Sequence, residues 1–185
     1  MKQIKINRLL IALLVVSISI GYSQDSNSDN HAVTIVIPQI SLLDIEPEGA
    51  NDITITMAVP AEAGDPLANE TDNNLWLNVT SIVASGNTRD ISVKIDAPIT
   101  GLNLKVVSAA YSGSGFGSWG VPQSETILTA VDQTLVSGIK SGYTANGANN
   151  GYNLTYTAEP DASANFGDIV STVGSDITVT YTLTP

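Results

Sequence analysis

One pattern governs what this chain can become: short stretches in which apolar and polar residues alternate one by one, separated by clusters of Gly, Pro, Asn and Asp. The clearest covers residues 176–184, with Ile177, Val179, Tyr181 and Leu183 on one side and Thr178, Thr180, Thr182 and Thr184 on the other. A period of two belongs to a strand with one face in a core and one in water. After the N-terminal apolar run, no window of eleven or more residues carries the 3.6-residue period of an amphipathic helix. The chain is therefore expected to be all-β, an antiparallel sandwich or partly open barrel of roughly seven to nine short strands. Residues 176–184 would fill its last slot.

The other expected strands follow the same reasoning. Val33, Ile35 and Ile37 alternate with Thr34 and Val36, Pro38 interrupts, and Ile40, Leu42 and Ile45 resume the apolar trend. Proline cannot donate to a ladder, so it belongs at a sheet edge or at a crossing between sheets. Residues 53–59 make a second alternating stretch, and residues 75–84 a third with Leu75, Leu77 and Val79 inward and Trp76 outward. Ser85-Gly-Asn-Thr88 reads as a four-residue hairpin turn. Ile91, Val93 and Ile95 are expected inward on a fourth strand, and Leu102, Leu104 and Val106 on a fifth. Segments 126–131 and 134–139 flank Asp132-Gln133 as a corner or tight hairpin, and Tyr152, Leu154 and Tyr156 share a face of the penultimate strand. Residues 60–74, 111–124 and 141–150 are expected loops, and Phe166 is expected to plug a loop over residues 159–167.

The N-terminus reads as an address. Lys2, Lys5 and Arg8 precede an apolar run from Leu9 to Ile20, too short to span a bilayer, and Gly21 and Ser23 suit cleavage before Gln24. Residues 1–23 are thus expected to be a signal peptide, residues 24–31 a disordered polar leader, and residues 32–185 a single sandwich domain. The expected location is secreted, extracellular or on the cell surface, with no transmembrane anchor after cleavage. There is no cysteine, so the core must hold the fold without disulfides, and thiol chemistry and lipidation at cysteine are excluded. After cleavage, Arg89, Lys94, Lys105 and Lys140 stand against 18 acids, a net charge of −14 instead of −11. Four scattered cations cannot make a nucleic-acid surface.

Motifs that carry chemistry are few. Gly115-Phe-Gly-Ser-Trp-Gly120 has the spacing G-x-G-x-x-G, but Val121-Pro122 follows where a dinucleotide site needs a helix. Ser137-Gly-Ile-Lys140 has the spacing S-x-x-K, yet alternation on a strand sets serine and lysine on opposite faces. His31 is the only histidine, so no serine–histidine–acid triad can be assembled in the expected domain, and the chain is expected not to be an enzyme. No cofactor is expected. Calcium is the one metal the composition allows, at Glu70, Asp72, Asn73 and Asn74 or at Glu46, Glu48 and Asp52, neither with EF-hand spacing. The sequons at Asn69, Asn78 and Asn153 matter only in a eukaryotic secretory pathway. Tyr111, Phe116 and Trp119 lie in a glycine-rich loop, where they form either a binding loop for glycans or partners, or, with Trp119, a cap on the open end of the sandwich.

Leu75-Trp-Leu-Asn-Val-Thr-Ser81, Thr88-Arg-Asp-Ile-Ser92, Tyr111-Ser-Gly-Ser-Gly115, Asn149-Asn-Gly-Tyr-Asn-Leu-Thr-Tyr156 and Thr178-Val-Thr-Tyr-Thr-Leu183 carry a resemblance. The chain resembles small secreted β-sandwich proteins of Bacteroidota bacteria with no assigned activity. Its closing strand is similar to those of pilin-type subunits of the chaperone–usher and spore-coat-U kind. The resemblance implies an envelope or extracellular location and an immunoglobulin-like sandwich, and it brings no catalytic residues. The expected function is a non-enzymatic structural or adhesive surface protein, such as a filament-type subunit. Val33, Ile35 and Ile37 are its candidate donor-strand knobs, offered to another copy or to other envelope proteins by strand addition. The competing reading of residues 32–37 is an ordinary first strand, and self-pairing is the expected outcome. The alternative function is a monomeric carbohydrate- or calcium-binding module.

Overall fold

The computed structural model describes residues 27–163, 166–171 and 176–184; the expected signal peptide lies outside them. By backbone proximity the chain separates into residues 1–36 and residues 37–185. In the first unit, residues 28–36 form no helix or strand, and Val33, Ile35 and Val36 are 72%, 79% and 83% exposed.

The second unit is all-β, with eleven antiparallel strands among the described residues. The longer ones are β1 (Ile40–Glu46), β2 (Glu70–Ile82), β3 (Arg89–Ile95), β4 (Leu102–Ser108), β8 (Gln133–Ile139), β10 (Tyr152–Pro160) and β11 (Val179–Leu183). Four two-residue strands complete the set: β5 (Phe116–Gly117), β6 (Val121–Pro122), β7 (Thr126–Ile127) and β9 (Gly142–Tyr143). They form two sheets. One has the order β5-β9-β2-β10-β4-β7 with β1 along the other edge of β2; the second has the order β11-β3-β8-β6.

The inward residues of the alternation build one apolar core shared by both sheets. The first contributes Leu75, Leu77, Val79, Val106, Tyr152, Leu154 and Tyr156, and the second Ile91, Val93, Ile95, Leu135, Val136 and Ile139. Each such side chain contributes about 1.5–3 kcal/mol on burial, so without disulfides this layer carries the stability. On β3 the rule is clean: buried and half-buried residues alternate from Arg89 to Ile95.

Four expectations are corrected. Residues 33–37 form no strand; the ladder begins only at Ile40, two residues after Pro38, where β1 pairs with β2 from Ile40 opposite Ile82 to Glu46 opposite Trp76. Residues 53–59 keep the alternating burial, with Ile53 and Ile55 packed against the core, but make no ladder. Apolar side chains hold that segment while its backbone finds no partner strand. The turn at Ser85-Gly-Asn-Thr88 forms, with the Asn87 N–H donating to the Ala84 carbonyl at 3.0 Å. However, it joins β2 and β3, which lie in different sheets, so it is a crossover and not a hairpin. Phe166 is 59% exposed in a single helical turn, Phe166–Asp168, and plugs nothing.

Candidate functional site

The glycine-rich loop that carries Tyr111, Phe116 and Trp119 is pressed against two backbone segments. A Cβ on Gly115 would stand 1.9 Å from the Tyr143 carbonyl oxygen, and one on Gly120 would stand 2.4 Å from that of Ser137. Those glycines exist for close backbone approach, which explains the G-x-G-x-x-G spacing without any phosphate.

The three aromatics part company. Tyr111 and Trp119 stack with ring centroids 3.9 Å apart and planes at 26°, and Tyr111 meets the buried Tyr152 edge-on at 6.3 Å. Both are half-buried, and a Cβ on Gly142 would meet the Trp119 ring at 3.2 Å. Their rings are occupied by one another and by the β9 backbone. Phe116, by contrast, is 79% exposed.

Phe116 belongs to a row that the sequence reading missed. It lies directly opposite Tyr143, Tyr143 opposite Thr80, and Thr80 opposite Leu42. Directly opposed residues of antiparallel strands share a face. Thr80 sits between the buried Val79 and Ser81, so the row faces away from the core. Leu42 and Tyr143 are 62% and 51% exposed. Beside them lies a groove of about 490 Å³ lined by Leu42, Asp44, Asn78, Thr80, Tyr143 and Asn146, among others. Asn78 is buried; its Nδ2 donates to the Asn150 carbonyl at 2.7 Å, and its Oδ1 has no partner among the described residues. Phe116 was singled out by the sequence but Tyr143 and its pairing with Phe116 were not, because two-residue strands carry no periodicity.

A second region lies at the sheet edges. β11 pairs only with β3 and β1 only with β2, so each has an unpaired outer edge among the described residues. A hollow of about 230 Å³ lined by Leu43, Asp44, Ile45, Asn51 and Tyr181 lies where β1 and β11 approach. Tyr181 reaches inward and its hydroxyl bonds that of Tyr156, tying the edge strand to β10 of the facing sheet. Burial pushes the hydroxyl of Tyr181 strongly upward, and those of Tyr156 and Tyr152 up to about 12. The candidate knobs do not lie in either sheet: Val33, Ile35 and Ile37 are 72%, 79% and 70% exposed.

The acidic clusters are occupied locally. Glu46 accepts the Glu48 N–H at 2.7 Å, and Asp72 accepts the Asn74 N–H at 3.0 Å and its side-chain amide at 2.8 Å. Among the described residues, no three His, Cys, Asp or Glu side chains gather as a metal site. Ser137 accepts a hydrogen bond from Gln123 Nε2 at 2.9 Å. Lys105 bonds Glu159 at 2.6 Å, which raises the lysine above its usual range. Among the described residues, no helix is long and apolar enough to cross a membrane. No known family, curated protein or solved structure matches the chain.

Proposed function

We propose that the chain is an exported, non-enzymatic subunit of a structural or adhesive surface assembly, an immunoglobulin-like sandwich that joins its neighbours by strand addition. The observation that carries this reading is an exposed alternating segment, Val33 to Ile37, in a chain whose two sheets each keep an unpaired edge among the described residues. An unpaired edge is a row of N–H and C=O groups ready to accept a strand, and soluble proteins ordinarily blunt it. A donor supplies main-chain hydrogen bonds for affinity and alternate side chains for specificity. Val33, Ile35 and Ile37 stand two residues apart, so they would enter one face together, each contributing about 1.5–3 kcal/mol when buried.

Deleting residues 24–38 tests the reading through native mass and thermal melting. The expected result is a folded subunit that no longer assembles, or a weakened one restored by a peptide of residues 31–39. A truncated chain that unfolds with no rescue would make the segment an ordinary first strand, and unchanged assembly would also contradict the proposal.

A further inference from the structure

We infer that the outer-face row Leu42, Thr80, Tyr143 and Phe116, with the groove beside it, is a binding site for a neutral oligosaccharide. The inference stands apart from strand addition, since it uses the flat face of the larger sheet and not its edges. Adjacent strands lie about 4.8 Å apart, so four residues in register span roughly 14 Å, the scale of a short glycan and not of a single ring. At one end Tyr143 and Phe116 offer two neighbouring aromatic side chains to solvent. Aromatic rings present a broad apolar surface with a polar edge, which suits the C–H faces of pyranose rings.

The polar partners stand alongside. Asp44, Thr80, Asn78 and Asn146 line the groove, a carboxylate, a hydroxyl and two amides, and no cation lines it. Asn78 is decisive among them. It is 6% exposed, its amide nitrogen is held by Asn150, and its carbonyl oxygen lacks a donor among the described residues. A buried acceptor left empty costs about 1–3 kcal/mol, and a sugar hydroxyl recovers that where the groove floor opens on binding to expose the oxygen. An apolar surface with a few convergent polar groups is the general form of a small-ligand site. The face also argues against a protein occupant: three exposed apolar side chains offer far less than the roughly 800 Å² per partner of a stable interface. Net charge of −11 over the chain disfavours acidic polysaccharides.

The test uses the full chain, titrated calorimetrically with cellotetraose, mannotetraose and xylotetraose, against Phe116→Ala, Tyr143→Ala, the double variant and Asn78→Ser. Both aromatics are exposed, so melting is expected to hold in their variants. Saturable binding to at least one probe is expected, weakened about tenfold or more in the double variant with its melting temperature unchanged, and weakened in Asn78→Ser, which also melts lower because the bond to the Asn150 carbonyl is lost. Should Asn78→Ser fail to fold, the aromatic variants alone decide. Three results would overturn the inference: no saturable binding to any neutral probe, equal binding by the double variant, or a loss of self-association in the double variant with no sugar binding.

Discussion

The hydroxyls of Tyr156 and Tyr181 meet inside the core, and with Tyr152 they make the fold sensitive to alkali. Burial disfavours the phenolate and holds Tyr152 and Tyr156 at about 12, above the value near 10 of an exposed tyrosine. A proton-bearing group raised in the folded state stabilises fully below its unfolded pKa and loses that contribution as pH rises toward the folded value. Here the window runs from about pH 10 to about pH 12. Within it, stability is expected to fall by about 1.4 kcal/mol per pH unit for each tyrosine, about 3 kcal/mol per unit for Tyr152 and Tyr156 together. Urea unfolding followed from pH 8 to pH 12 checks this: these tyrosines add no slope below pH 9, and a level midpoint through pH 12 would contradict their burial. That both lie on one face of their strand was legible from the spacing Tyr152, Leu154, Tyr156. The partner of Tyr156 was not, because Tyr181 is 25 residues away and on the other sheet.

At the scale of elements, what could be read was what repeats. Leu75-x-Leu77-x-Val79 and Ile91-x-Val93-x-Ile95 alternate over enough residues to declare a strand and its inward face, and β2 and β3 bear that out. Residues 53–59 show the limit of the same signal: alternation reports a buried side, whereas a ladder requires a neighbouring backbone, and this segment has none among the described residues. β5 and β9 show the converse, strands of two residues that exist only because distant segments meet: β9 lies against β2, and β5 against β9. Gly115 records that contact, since a Cβ there would stand 1.9 Å from the Tyr143 carbonyl oxygen. Gly115→Ala is therefore expected to cost about 1–3 kcal/mol as an overpacked site and to separate β5 from β9 while leaving the main core intact. Thermal melting reads the cost and the chemical shifts of Tyr143 read the separation; an unchanged variant would mean the loop does not lie so close.

For the molecule as a whole, the two proposals rest on different exposed features. The flat row through Tyr143 and Phe116 is suited to a small ligand, and the edges of β1 and β11 are suited to a strand. Strong net negative charge sets copies of the chain against one another, so the proposed assembly would have to rest on short-range contacts, and added salt is expected to favour it. All-β architecture and core-facing residues were legible in the sequence because they are local. The split of the strands between two sheets and the edges that β1 and β11 leave unpaired among the described residues were not, because each depends on which distant segments pair. Strand addition is tested most directly by hydrogen exchange of the subunit lacking residues 24–38, with and without a peptide of residues 31–39. Protection is expected to rise in β11, Val179–Leu183, or in β1, Ile40–Glu46, with the rest of the sandwich little changed. Exchange in both strands that stays the same at saturating peptide would contradict the proposal that a neighbour's segment completes the sheet.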